Sequence, residues 1–212
     1  MNEPAYPAAL AELMELLRAL PGVGKRSAER MALCIYQWDE SKRLALAENL
    51  QSLSQRICHC RECGNLADSE EQELCRICAS PLRDRSLICV VEESTQIRTI
   101  ESGGVFKGVY HVLGGRIAPL EGRGVESIRL DLLDQRLADG SVRELILALS
   151  PDVEGQATAV YLANRYQKKN IKISRLAQGL PAGSDLSYAD PATIAIALSG
   201  RIAFDQDKGA IG

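Results

Sequence analysis

Aromatic side chains are scarce in this 212-residue chain, at 4% Phe, Trp and Tyr together. A row of stacked rings is how many proteins hold single-stranded nucleic acid, so a base-stacking platform of that kind is not expected. Charge of one sign is lacking too. The formal net charge of −3 leaves no global footprint for nucleic acid, and any DNA contact must come from a local patch. No apolar run is long enough to cross a bilayer. The opening Met1-Asn2-Glu3-Pro4 lacks the basic start and apolar stretch of a secretion signal, so the expected location is the cytoplasm. There is no internal repeat and no low-complexity tract. The hydrophobic fraction of 46% is ordinary for a globular protein. The length admits one large domain or two smaller ones.

What the chain does have is a set of paired cysteines. Cys60-x-x-Cys63 and Cys75-x-x-Cys78 stand eleven residues apart. A C-x-x-C pair bends as a knuckle and aims two thiolates at one metal. Two pairs complete a tetrahedral shell of soft sulfur ligands, which suits one structural Zn²⁺ and leaves no open catalytic position. The insert from Gly64 to Leu74 is polar and acidic, cannot bury a core and needs the metal to hold its shape. Redox dithiols or core cysteines are the alternative, against which the double spacing argues. Cys58 competes with Cys60, and His59 is a possible substitute ligand. Cys58-x-Cys60 is the poorer knuckle spacing, so Cys60 is retained. Cys34 and Cys89, on apolar segments, are expected to be buried free thiols. This usage fits a reducing compartment without disulfides.

The N-terminal segment reads as helical. Leu10, Leu13, Met14, Leu17 and Leu20 recur at helical spacing and stop at Pro21-Gly22. Ala28, Met31, Ala32 and Ile35 form a second pattern. A third, with Ser41 as its expected N-cap, runs through Leu46, Leu50, Leu53 and Ile57. Between the first two helices, Gly22 and Gly24 permit a tight turn with bare backbone N–H groups. The helix start that follows adds more of them, which makes an anion site. Lys25, Arg26 and Arg30 lie around it, against one acid, Glu29. The pattern resembles a helix-hairpin-helix, which grips DNA phosphates without reading sequence. The competing reading is a hairpin that only packs. A P-loop is excluded, because Ala19 stands at its first glycine and Arg26 at its Ser/Thr.

From residue 87 onward, strand and helix signals alternate. Strands are expected at Leu87–Val91, Val109–Leu113, Glu144–Leu149 and Ile171–Ser174. Helices are expected at Ser94–Glu101, around Ile128, Leu130, Leu133 and Leu137, at Gly155–Lys168 and at Pro191–Ser199. The fold class is therefore α/β: a helical hairpin domain, a small four-cysteine knob, and a parallel sheet with helices on both faces. Function in such sheets sits at the carboxyl ends of strands. Those ends carry Glu92, Asp152 and Glu154. Val-Val-Glu92 and the later acidic turn resemble the Toprim domain of topoisomerases and primases, whose acids hold Mg²⁺. Here Ser150 replaces the first acid of the later stretch and Gln156 the last. The incomplete set favours a structural or partner-binding role over a two-metal clamp.

The order hairpin, knob, sheet is similar to the RecR family of bacterial recombination mediators over nearly the whole chain. The matching stretches are Leu20-Pro-Gly-Val-Gly24 with Arg30-Met-Ala32, the cysteine knob with Asn65-Leu66, and Ile88-Cys-Val-Val-Glu92. To these are added Pro151-x-Val-Glu-Gly155, Arg175-Leu-Ala177 and Gly179-Leu-Pro-x-Gly183 with Asp190, Thr193 and Arg201. The resemblance implies a nonenzymatic DNA clamp, associated with the nucleoid. It would help load the RecA recombinase on gapped single-stranded DNA, acting with RecO and, at gaps, with RecF. It also implies a ring-like homo-tetramer. The alternative is a Mg²⁺-dependent Toprim nuclease or nucleotidyltransferase using Glu92, Asp152 and Glu154. The expected division is 1–57 for the hairpin domain, 58–80 for the zinc finger and 81–199 for the Toprim-like domain. The tail 200–212, with Ile202, Ala203, Phe204 and Ile211, is expected to contact a neighbouring subunit.

Overall fold

The computed structural model describes residues 6–69 and 73–202. The chain forms two compact units, Met1–Ile57 and Cys58–Gly212. The first holds three helices: α1 (Ala8–Arg18), α2 (Lys25–Gln37) and α3 (Glu40–Arg56). Ala28 and Ala32, one turn apart on α2, are fully buried where small side chains let α1 and α2 approach closely. Cys34 is exposed, contrary to expectation. It follows Ala32 by two residues, about 200° round the helix, and so leaves the packed face. The cap of α3 is Asp39, not Ser41. The Asp39 carboxylate accepts from the Lys42 N–H at 2.9 Å, and the Ser41 hydroxyl donates to the same carboxylate. Leu46, Leu50 and Leu53 recur along α3 and remain exposed.

The second unit begins with a small knob. Strands β1 (Ile57–His59) and β2 (Leu66–Asp68) pair, and the one-turn helix α4 (Arg76–Ala79) follows. The sheet comprises β3 (Asp84–Val91), β4 (Gly108–Val112), β5 (Glu144–Leu147) and β6 (Lys172–Arg175), in the order β4-β3-β5-β6 with every pairing parallel. Helices α5 (Ser94–Ser102), α6 (Asp131–Arg136) and α7 (Val153–Tyr166) connect the strands, and α8 (Pro191–Ser199) closes the described chain.

Alternation along β3 divides the core. Ile88 and Val90 face one layer with Leu133 of α6 and Leu162 and Tyr166 of α7. Cys89 and Val91 face the other with Ile97 of α5, Tyr110 and Val112. Both faces are thus covered by helices, as an all-parallel sheet requires. Cys89 is a buried free thiol, and burial pushes its pKa up to about 12. Ile128 and Leu130 are buried but precede α6. Arg129 donates its N–H to the Leu113 carbonyl at 2.8 Å, which holds that segment extended beside the end of β4. Ile202 is exposed, and Ala203, Phe204 and Ile211 lie outside the described residues. Among the described residues no helix is long and apolar enough to cross a membrane.

His111 on β4 has no exposed surface. Its Nε2 lies 2.6 Å from the Arg129 carbonyl, which only accepts, so that nitrogen carries the proton and Nδ1 is left bare. Burial holds its pKa down at about 4 from 6.5; the Arg129 carbonyl opposes this, and the charges of Arg136 and Arg129 add to it. A histidine with a depressed folded pKa contributes stability above its unfolded pKa and loses it as pH falls toward the folded value. Between pH 7.5 and pH 5 this one group should cost about 2 kcal/mol of unfolding free energy. Denaturant titrations at the two pH values check this. His111→Gln should start less stable and lose correspondingly less on acidification.

Candidate functional site

The sheet brings its acids together at one place. Strand β3 leads to β4 on one side, and the chain then crosses to β5 on the other. The switch point lies between β3 and β5, where ligands of α/β sheets commonly bind. Glu92 follows β3, and Ser150 to Glu154 follow β5. Glu92 is nearly buried, yet its carboxylate is occupied. It accepts from the Ser150 N–H at 2.9 Å and from the Ser150 hydroxyl at 2.7 Å. Ser150 therefore does more than lack a charge: it donates twice to the neighbouring acid. Gly155 makes this possible, since a Cβ there would meet the Ser150 carbonyl at 2.1 Å and the Glu92 carboxylate at 3.1 Å.

Asp152 caps α7, accepting from the Gly155 N–H at 2.8 Å, and that bond with the nearby Arg116 holds its pKa below the usual range. Arg116 reaches in from the Gly-rich loop after β4. Its Nη1 lies 2.5 Å from Asp152, and its Nε lies 2.7 Å from Glu154 as an ion pair without hydrogen-bond alignment. One guanidinium thus spans both acids. Mg²⁺ needs octahedral oxygens at about 2.0–2.1 Å and several waters. Here the cation that the acids attract is a side chain.

The knob is the second locus. The Sγ atoms of Cys60, Cys63, Cys75 and Cys78 all lie within 4.8 Å of one another, and all four residues are buried. Cys63 and Cys75 are 3.6 Å apart. A tetrahedral shell with Zn–S of about 2.3 Å sets sulfurs roughly 3.8 Å apart, so the donors fit. Turn bonds shape the knuckles: Gly64 N–H to the Cys60 carbonyl at 2.8 Å and Cys78 N–H to the Cys75 sulfur at 3.5 Å. Without a cation the thiols share protons. The Cys60 thiolate is favoured by S–H donors on Cys63, Cys75 and Cys78, and the Cys78 thiol is pushed far up by Cys60, Cys63 and Cys75. Four thiolates at this spacing require a dication.

Cys58 only packs against the cluster. His59 is turned to other partners: its Nδ1 donates to the Gly64 carbonyl at 3.1 Å, and its Nε2 accepts from Arg129 at 3.1 Å. The knob is also bonded into the sheet. The Val112 N–H donates to the Cys63 carbonyl at 2.7 Å, and Arg85 to the Cys78 carbonyl at 2.6 Å. Sequence reasoning missed Arg116 and Arg129. Their only sequence signal is two arginines near Gly114, Gly115, Gly122 and Gly124.

The third locus is the turn between α1 and α2. Gly22 has φ +77°, which a side chain would strain, and Gly24 is extended before α2. The start of α2 has no side-chain cap. A Cβ on either glycine would meet nothing within 4 Å, so the backbone is open to an approaching group. Lys25, Arg26 and Arg30 are exposed, and Arg26 and Arg30 stand one turn apart on α2. Glu29 is engaged elsewhere, accepting from the Tyr6 hydroxyl at 2.6 Å. An oxyanion at this turn would meet backbone donors and cations together.

Comparison with known proteins places these loci in one family. A family model described as the RecR helix-hairpin-helix matches residues 10–53, a Toprim domain matches 86–177, and the RecR C-terminal segment matches 179–202. A Recombination protein RecR of Acidothermus cellulolyticus is 47% identical over 94% of this chain and 99% of its own. One of Streptomyces avermitilis is 46% identical with the same coverage, and one of Desulforapulum autotrophicum is 41% identical over 94% of this chain and 98% of its own.

Purified wild-type protein should carry about one divalent metal per chain by elemental analysis, and Cys78→Ser should carry less. Because Val112 bonds directly to Cys63, loss of the metal should also speed hydrogen exchange at the Val112 amide. A metal-free wild type, or a Cys78→Ser protein with undiminished metal, contradicts the site.

Proposed function

This chain belongs to the RecR family of recombination proteins, and on that premise we propose that it is a nonenzymatic DNA-binding clamp and adaptor in recombinational repair. In this reading it acts in the cytoplasm at the nucleoid, helping to load RecA on gapped single-stranded DNA with RecO and RecF. Residues 1–57 are the DNA-binding domain, 58–80 the zinc finger, 81–199 the Toprim-like partner surface and 200–212 an oligomer contact. The observation that carries the reading is the uncapped, open start of α2 with Lys25, Arg26 and Arg30 exposed beside Gly22 and Gly24. Phosphate suits that surface, and nothing on it is shaped to read base edges.

The metal is zinc in this reading, since four sulfur donors and a closed shell suit it. Bound, it supplies charge and a cross-link, with no chemistry on substrate. The knob's own residues fix the edge of β4 through the Cys63 carbonyl. Arg116, placed between Asp152 and Glu154, supports a role for those acids in structure or partner contact. The exposed leucines of α3 and exposed Ile202 support assembly into a tetrameric ring. Several hairpins facing one lumen would add their weak contacts.

Arg26→Ala with Arg30→Ala should weaken DNA binding steeply on two unrelated sequences alike, with fold and metal content intact. Removing one phosphate interaction should flatten the log–log salt dependence by about 0.9 on duplex and about 0.7 on single strands. Binding titrations at several salt concentrations read this. Wild-type affinity with an unchanged slope in the double variant would make the hairpin a packing element.

A further inference from the structure

A groove of about 460 Å³ runs along the hairpin unit, walled by Leu17 of α1 and by Arg30, Met31, Cys34 and Ile35 of α2, and ending at Trp38. The α2 residues follow helical spacing on a single face, so the groove runs from Ser27 and Arg30 to the chain's single tryptophan. Its floor is apolar and its rim is cationic. Arg30 is exposed on the wall. The Lys42 ammonium stands 4.1 Å from the centre of the Trp38 ring, and Lys42 itself is not part of the groove wall. Arg43 is held beside the ring by the carbonyls of Tyr36 and Trp38. Of the acids nearby, Glu29 accepts from the Tyr6 hydroxyl and Asp39 caps α3, while Glu40 is exposed beside Asp39.

The geometry points to a slot for one unstacked nucleobase of single-stranded DNA in this groove, stacked at Trp38 while the strand's phosphates lie on Arg26, Arg30 and Lys42. The inference rests on the hairpin's phosphate-binding role and adds a preference for single strands to it. Charge selects the occupant. An apolar protein face would cover the floor and leave Arg30, Lys42 and Arg43 without counter-charge, whereas a nucleic-acid strand brings one phosphate with every base. The volume lies within the range of pockets that enclose small rings. One slot needs one aromatic ring, which the low aromatic content allows. A duplex keeps its bases stacked and should use the phosphate contacts alone.

Trp38 is its own reporter, because no other tryptophan emits. The full-length protein is titrated with a thymidine oligonucleotide and with an abasic strand of the same length and phosphate number. Thymidine strands should quench Trp38 emission in step with binding. Abasic strands should bind about 5- to 150-fold more weakly, the range expected for removing one base stack, and leave emission unchanged. Trp38→Ala should lose the same factor on thymidine strands and nothing on abasic ones, and Trp38→Phe should keep part of it. Equal affinity for both strands, or thymidine binding without quenching, overturns the slot and leaves the hairpin reading intact. Emission that shifts with protein concentration alone and is insensitive to DNA assigns the groove to a second copy and also overturns the slot. Failure of the hairpin reading looks different: neither strand binds, or Arg26→Ala with Arg30→Ala binds both strands as the wild type does.

Discussion

Four buried sulfurs within 4.8 Å of one another set a charge constraint on which the knob and the adjoining sheet edge depend. Apart from a metal, the thiols can only exchange protons, because each new thiolate raises the cost of the next. A dication removes that conflict and cross-links two segments that otherwise bury little. The constraint extends beyond the knob. The Cys63 carbonyl receives the Val112 N–H at the end of β4, and Arg129 bridges the Gly64 carbonyl and His59. The loop that carries Arg116 leaves β4 directly after Val112. Knob and acidic strand ends are therefore parts of one connected structure.

At those strand ends the chain has the shape of a Toprim site whose carboxylates are already engaged by the chain's own donors. The Glu92 carboxylate is filled by Ser150, and Asp152 and Glu154 share Arg116. A divalent ion would have to compete with a covalently tethered guanidinium and with the two Ser150 hydrogen bonds. The hairpin has the opposite character. Its donors and cations are open, and the nearest acid is tied to Tyr6. Where the sheet acids find donors within the chain, the hairpin's donors and cations stay open to an anion from outside.

Much of this was legible in the sequence because it is local. A C-x-x-C pair, a Gly-x-Gly turn before a helix, and Val-Val-Glu at a strand end each lie within a few residues, so spacing alone reveals them. The α/β class follows from alternation, and the parallel order matches it. Less legible were contacts between distant segments. Arg116 and Asp152 are 36 positions apart, and Arg129 and Gly64 are 65 apart. Ser150 could be read as a missing acid, but not as a donor to Glu92. Cys34 reads as buried from the sequence because its apolar neighbours mark two faces of α2, only one of which packs. Ser41 and Asp39 are both good caps, and only backbone geometry chooses between them.

On the proposed reading, this protein holds DNA with open backbone donors and cations and performs no metal-dependent chemistry on it. The most direct measurement is DNA affinity and integrity, on end-labelled single strands, with and without Mg²⁺ at matched ionic strength. Equal affinity in both buffers, with full-length DNA recovered from each, is the expected result. Binding that requires Mg²⁺, or cleavage or joining that appears with it and vanishes in Glu92→Ala, would make the protein a metal-dependent enzyme instead.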